Sequence, residues 1–302
     1  MAGSKRRTSA VRAAAGAFVL ALAAGGCGAD EPPSLFGAGK KVRVGAKNDQ
    51  PGTGLEVHAR EFVGLDITVA RELLDRVGSE PPKFEGVLSK DRAPVLRDHD
   101  VDLVAATFSI TVQRMQPVKE GGEGLDFVGP YASGLQGMLV RAADHDRYRT
   151  LADFNGRLVC VWRSTTSGIE LDKPAYRDIR QSSRDDASSC VKALKAGDVD
   201  AVTTDQLILY GFMEAEPSLE VVAGVAFGAP NDYGIAFAKG HRKDCEKLRD
   251  ALKAYAVNNE WVRDFEINLP KVPLALRNEA RPEPSEIDAL SCRDRPADAP
   301  VK

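Results

Sequence analysis

Short apolar runs alternate with amphipathic helical patterns from residue 41 to about residue 265, and this alternation restricts the fold more than any other feature of the sequence. Runs at residues 41–46 (KVRVGA), 101–108 (VDLVAATF), 136–141 (QGMLVR), 157–162 (RLVCVW), 199–204 (VDAVTT) and 233–239 (YGIAFAK) read as strands. Residues 64–78 (GLDITVARELLDRVG) place Leu65, Val69, Leu73 and Val77 four apart, which predicts an amphipathic helix stopped by Gly78. Further helices are expected around residues 187–197 and over residues 245–265, where Leu248, Leu252 and Tyr255 share a face. Strands and helices in alternation point to α/β domains built on parallel sheets. Beyond about residue 276, Pro, Arg, Asp and Glu dominate and predict an irregular tail.

The first residues belong to a different physical class. Lys5, Arg6, Arg7 and Arg12 give a basic start, and no acid precedes Asp30. Residues 13–24 (AAAGAFVLALAA) are all apolar or small, a run too short to span a bilayer as a helix, which takes about 20 residues. A basic start followed by such a run is a secretory signal. Residues 24–27 (AGGC) resemble a bacterial lipobox, in which the Cys becomes the lipidated first residue; Ala24 stands where Leu is commoner. The expectation is a signal peptide at 1–26, a lipid such as palmitate on Cys27, and a flexible tether at 27–40 holding the domain to the outer face of a bacterial cell membrane.

That division changes the charge balance. The whole chain of 302 residues has 41 Lys+Arg against 44 Asp+Glu. Removal of residues 1–26 takes away four positive charges and no negative ones, leaving 37 against 44, a net −7. Such a chain offers nucleic acid no basic surface, and any basic side chains within a cleft stand out from an acidic background. Four cysteines then remain: Cys160, Cys190, Cys245 and Cys292. An even number outside the cytoplasm reads as disulfides, with three pairings open. Cys160–Cys190 closes a short loop within one domain and is favoured, with Cys245–Cys292 tying down the tail. His58, His99, His145 and His241 are scattered without metal spacing, and nothing calls for a cofactor.

In α/β sheets, ligands bind beyond the carboxyl ends of strands, where loops feed helix N-termini. Three loops in that position carry unusual polarity. Ser109-Ile110-Thr111-Val112-Gln113-Arg114 sets hydroxyls and a guanidinium where a carboxylate would be gripped. Arg163-Ser164-Thr165-Thr166-Ser167 offers hydroxyls and amides, with Ser167-x-x-Glu170 as a capping box. Asp205 follows the run at 199–204 and suits an ammonium. Each pattern alone is an ordinary cap. Cation, anion and anion-receptive amides together suggest a site for a zwitterion.

Six stretches in order carry a wider likeness: VRVGAKNDQPG, FVGLDITVARELL, ATFSITVQR, FVGPY, CVKALKAGDVDAVTTDQLILYG and YGIAFAKG. Over about residues 41–270 the chain resembles the extracytoplasmic amino-acid-binding proteins of ABC transporters, of the polar or glutamate/aspartate/glutamine type. The resemblance implies a type II periplasmic binding protein, with lobe 1 at 41–133 and 232–269, lobe 2 at 134–231, two crossovers, and a tail at 270–302. It implies a monomer that hands its ligand to membrane permease subunits. Arg114 would hold the ligand α-carboxylate with Ser109 and Thr111, assisted by amides of Thr165 and Thr166, and Asp205 would hold the α-ammonium. Lys47, Ser89 and Arg92 would form the side-chain pocket, whose two cations imply a second ligand carboxylate; Arg163 is a further candidate. Asn48 and Gln50 beside Lys47 keep asparagine and glutamine open.

Two departures from the family pattern stand out. Ser164 occupies a position where Gly is common, which puts amide donation there in doubt. An insertion containing Glu120-Gly121-Gly122-Glu123 lengthens the stretch between Arg114 and Phe127 and is expected to form a surface loop. Two other outputs are consistent with such a chain. One is presentation of ligand to a membrane sensor. The other is a secreted dehydratase on the same fold, for which Asp49 and Asp205 are the available acids.

Overall fold

The apolar runs become strands of one large mixed sheet in the computed structural model, which describes residues 1–3, 32–37 and 39–293. In chain order the strands are β1 (Arg43–Ala46), β2 (Asp49–Gln50), β3 (Gly54–His58), β4 (Glu61–Val63), β5 (Lys83–Gly86), β6 (Leu103–Ser109), β7 (Leu125–Arg141), β8 (Leu158–Trp162), β9 (Arg180–Arg184), β10 (Ala201–Asp205), β11 (Leu219–Val221) and β12 (Phe227–Ala238). The α-helices are α1 (Leu65–Arg76), α2 (Arg92–Arg97), α3 (Val112–Met115), α4 (Thr166–Leu171), α5 (Ala187–Ala196), α6 (Gln206–Ala215), α7 (Arg242–Val257), α8 (Asn259–Asn268), α9 (Leu274–Ala280) and α10 (Pro284–Leu290).

The sheet runs β5-β1-β6-β12-β7-β10-β8-β9, with β11 on β7, while β2, β3 and β4 form a separate small sheet. Strands β5, β1 and β6 are parallel to one another, as are β10, β8 and β9. These two parallel sets are joined by antiparallel β7 and β12. Residues 125–134 and Gln136 of β7 pair with β12, while residues 136–141 pair with β10 and β11. One long strand thus belongs to both halves of the sheet, and the return strand β12 pairs with β6 as well. The run at 136–141 is only the second part of this strand.

Helical faces pack as their spacing requires. Leu65, Val69 and Leu73 of α1 and Leu248, Leu252 and Tyr255 of α7 are all buried, and the two helices pack against each other. The stretch expected as one helix over 245–265 is two: α7 ends at Val257, and Asn258 turns extended before α8 begins.

Two expectations are corrected. The tail is not irregular beyond residue 276, because α9 and α10 bury Ala280, Ile287 and Leu290. Glu283 and Glu286 form a capping box with Pro284 in the first turn of α10. Ser291 then brackets Gly129 of β7, its Oγ accepting from the Gly129 amide at 3.0 Å and donating to the Gly129 carbonyl at 2.9 Å. The tether is not free along its whole length either. Phe36 is buried, and both oxygens of Asp244 in the first turn of α7 accept hydrogen bonds, from Ser34 Oγ and from the Leu35 amide, each at 2.6 Å. The signal peptide, Cys27 and residues 294–302 lie outside the described residues.

Both disulfides form in the favoured pairing. Cys160–Cys190 fastens α5 to β8, and Cys245–Cys292 fastens the chain after α10 to α7.

Candidate functional site

The carboxyl ends of β6, β8 and β10 and the loops after β1 and β5 border a small cavity of about 10 Å³ between the two halves of the sheet. Gln50, Ser89, Arg92, Thr107, Ser109, Trp162, Thr165, Thr166, Ser167, Thr204, Asp205 and Ile208 line it. Eight of the twelve carry a side-chain hydroxyl or amide, so the lining is polar.

Cations dominate the wall from the first half. Arg92 opens α2; its Nε donates to Ser89 O at 3.0 Å, and its Nη1 to Ala106 O and Thr107 O at 3.1 and 3.2 Å. Its Nη2 reaches Ser164 O on the other half at 3.0 Å. Arg114 lies in α3, which Thr111 caps by accepting the Arg114 amide, and its Nη1 donates to Ser109 O at 2.5 Å. Both guanidiniums lie over the Phe108 ring, 4.3 and 4.4 Å from its centroid. All the acceptors these two find among the described residues are neutral carbonyls. Burial lowers the pKa of Arg92 to about 9, with the neighbouring Arg114 adding to the fall, and that of Arg114 to about 10.

Thr107 between them has φ +44°, which for a β-branched residue is a strained backbone. Three contacts hold it there. Its amide donates to Asp66 Oδ2 at 2.9 Å, its hydroxyl to Gln50 Oε1 at 3.1 Å, and its carbonyl accepts from Arg92. Asp66, in the first turn of α1, also accepts from Tyr131 OH at 2.7 Å, and full burial pushes its pKa up to about 7.

Lys47 does not line the cavity. It is fully buried, with Nζ 3.3 Å from both Val87 O and Asp49 Oδ1. Burial pulls its pKa down and Asp49 opposes the fall. Asp49 Oδ2 in turn accepts the amides of Ala187 and Ser188 at 2.9 and 3.2 Å, at the start of α5 on the other half of the sheet. A carboxylate in that position satisfies free helix amides and the positive end of the helix dipole.

The second wall holds a single carboxylate. Asp205 ends β10, and its Oδ1 accepts from Gln136 Nε2 at 2.5 Å and Asn231 Nδ2 at 2.6 Å, its Oδ2 from Tyr233 OH at 2.8 Å. The donors sit on the joining strands β7 and β12. They fill three of about four acceptor positions on the carboxylate, which leaves one for a ligand. Burial pushes the Asp205 pKa up to about 7, against the pull of these three donors.

Beside it, Thr165 is the N-cap residue of α4, and its hydroxyl donates to Trp162 O at 2.7 Å. The expected Ser167–Glu170 capping box is therefore corrected: Ser167 is inside the helix and buried, its Oγ 3.4 Å from Thr204 Oγ1. Ser164 takes φ +59°, the left-handed conformation that makes Gly common at this point. Arg163 is also corrected. Its side chain is 62% exposed and paired with Asp185 at 3.5 Å, outside the cavity lining.

Of the residues singled out in the sequence, Ser89, Arg92, Ser109, Thr165, Thr166 and Asp205 meet at the cavity, with Arg114 and Thr111 next to it on α3. Thr107, Trp162, Thr204 and Ile208 were not anticipated, nor were the supports Gln136, Asn231 and Tyr233. Gln136 and Tyr233 open two of the apolar runs, and a polar group heading a buried strand was the available signal. Among the described residues no group of three His, Cys, Asp or Glu is placed to hold a metal ion.

The profile of bacterial extracellular solute-binding proteins, family 3, matches residues 42–263. The chain is 33% identical over 239 residues to the glutamate-binding protein GluB of Corynebacterium glutamicum, covering 76% of this chain and 78% of that one. It is 29% identical over 216 residues to the ABC transporter glutamine-binding protein GlnH of Bacillus subtilis, covering 70% and 75%. An ancestral arginine-binding protein bound to arginine matches in structure with a TM-score of 0.64 at 27% identity, covering 75% of this chain and 97% of that one. These are binding proteins of the type II fold and not enzymes, which sets the dehydratase alternative aside. The candidate site is thus a cleft lined by Arg92 and Asp205 with Arg114 beside it, and the chain that carries it belongs to the bacterial extracellular solute-binding proteins, family 3.

Proposed function

We propose that this protein captures a polar amino acid, glutamate or aspartate foremost with glutamine and asparagine next, and delivers it to the permease of an ABC transporter. The observation that carries the reading is the pair of buried guanidiniums on Phe108, bonded only to neutral carbonyls, beside a cavity that Asp205 also lines. Arg114, whose guanidinium donates to Ser109 O with one of its five N–H groups, takes the α-carboxylate in two parallel hydrogen bonds, supported by Ser109 and Thr111. Asp205 takes the α-ammonium at its remaining acceptor position. Arg92, with Ser89 and Gln50 nearby, meets the ligand side chain, and the Thr165 and Thr166 amides complete the second wall. The names of relatives that bind glutamate and glutamine favour the same class.

Binding works by closure of two lobes, residues 41–133 with 232–269 against 134–231, about the crossings in β7 and β12. Two contacts hold the closed form without ligand: Arg92 to Ser164 O, and Asp49 to the start of α5. Lys47 serves in this scheme as the buried counter-ion that fixes Asp49. The ligand adds a bridge between Arg114 and Asp205, which favours closure by its contacts with both lobes at once. The signal peptide directs export and a lipid on Cys27 retains the protein at the membrane; Cys27→Ala should release it into the medium.

Calorimetry with glutamate, aspartate, glutamine, asparagine and arginine tests the ligand class. A micromolar affinity, about −8.2 kcal/mol, is expected for an acidic or amide amino acid. Binding of arginine or a sugar, with none of the other four, would refute the assignment.

A further inference from the structure

The insertion between α3 and β7 is not a plain surface loop. Glu120 and Gly121 are exposed, but the chain then doubles back over α3. Gly121 and Gly124 take the left-handed φ values +85° and +70°, and a side chain on Gly122 would put its Cβ 2.2 Å from Gln116 O. The amides of Gly122, Glu123 and Gly124 bond to Pro117 O, Gln113 O and Gln116 O at 3.2, 2.9 and 2.8 Å. Glu123 is thereby pinned beside the residue preceding Arg114. Its Oε2 is buried and accepts no hydrogen bond. An unsatisfied buried carboxylate oxygen is costly unless a charge compensates it. Its charge is felt at both guanidiniums, where it resists the fall that burial imposes on their pKa values.

We infer that Glu123 is a specificity-determining residue, a tethered carboxylate that offsets part of the positive charge of the Arg92–Arg114 pair and so narrows the preference of the site for acidic over amide ligands. The inference rests on the amino-acid reading of this cleft. With the α-carboxylate on Arg114 and the ammonium on Asp205, a neutral ligand side chain leaves Arg92 balanced by Glu123. An acidic side chain supplies a second carboxylate to Arg92 and makes Glu123 surplus, so ligand and Glu123 repel. Removal of that charge must therefore help glutamate more than glutamine.

Calorimetric titration of L-glutamate and L-glutamine into the parent chain, Glu123→Gln, Glu123→Asp and Glu120→Gln tests this, with melting temperatures as a check on folding. Glu123→Gln should shift the ratio of dissociation constants toward glutamate by about fivefold or more, a typical effect of one nearby charge at intermediate dielectric. Glu123→Asp keeps the charge and should hold the ratio near the parent value, as should Glu120→Gln at the exposed end of the loop. An unchanged ratio in Glu123→Gln, or an equal shift in Glu120→Gln, would overturn the assignment. If the parent chain binds neither ligand, the amino-acid reading itself fails.

Discussion

The two walls of the cleft solve one electrostatic problem in different ways. On the first, the charges are long side chains lying over an aromatic ring, and backbone carbonyls of β6 and neighbouring loops accept their protons. On the second, the charge is a short carboxylate held by three side chains from β7 and β12. In both, the hydrogen-bond partners are neutral dipoles, so burial is compensated without a contact ion pair. Lys47 and Asp49 show the contrast: paired with each other at 3.3 Å, they hold structure together and do not line the cavity. The cationic wall is rooted in one half of the sheet, whereas Asp205, at the end of β10, is held by donors on the joining strands and is therefore the group most directly tied to any change at the crossings.

Truncation of a charge on either wall tests that contrast most severely. Arg114→Ala and Asp205→Ala should each cost about 3–5 kcal/mol of binding, because the ligand charge left behind is buried unpaired. Calorimetry should show near-total loss for every amino acid. Loss confined to acidic ligands would show that Arg114 serves the side chain instead.

The disulfides lie outside the cleft and should separate stability from binding. Closing loops of 30 and 47 residues is worth roughly 3–4 kcal/mol each in the chain-entropy account. The double variant Cys245→Ser, Cys292→Ser should lose about 2–4 kcal/mol of stability by denaturant titration while ligand affinity stays unchanged. A fall in affinity would tie the docked tail to the site.

A third expectation concerns pH. Asp66 and Asp205 have folded pKa values of about 7, above an unfolded value near 3.8, so the folded state holds their protons more tightly. Their contribution to stability is fully present below the unfolded value and is lost as pH rises through about 7. The ligand-free protein should therefore lose this contribution between about pH 4 and pH 8. An ammonium needs Asp205 ionised, so ligand affinity should rise across the same window. Melting curves with and without ligand at both pH values check this, and Asp205→Asn should flatten its share. The smallest effect is expected at Ser164, where Gly relieves a left-handed backbone but loosens the unfolded chain: Ser164→Gly should raise stability by at most about 1 kcal/mol.

Much of this was legible from residue order. The 3.6-residue spacing in α1 and α7 and the apolar runs of β1, β6, β8 and β10 identified the layers, because burial demands that periodicity wherever the element is packed. Asp205 was visible because a charged residue just after an apolar run must be paired, exposed or functional, whereas Arg92 came forward only through the family resemblance. The tail was misjudged because its charged residues outnumber Ala280, Ile287 and Leu290, although its Pro284 and Glu286 were a readable helix start. Arg163 was misjudged because its position after β8 says nothing of which way a long side chain turns.

The sequence by itself determined the alternating α/β architecture, the surplus of acidic over basic residues, and the presence of the cations and the acid that meet at the cleft. Periodicity and local charge are properties of neighbours along the chain, so they survive in one dimension. Only the tertiary structure decided that Lys47 pairs with Asp49, that Gln136, Asn231 and Tyr233 surround Asp205, and that Glu123 folds back toward two arginines on one ring. Apart from Lys47 and Asp49, those relations join residues up to 69 positions apart, as for Gln136 and Asp205, and the fall-off of electrostatics and hydrogen bonding with distance makes them matter only once packing has brought the groups together.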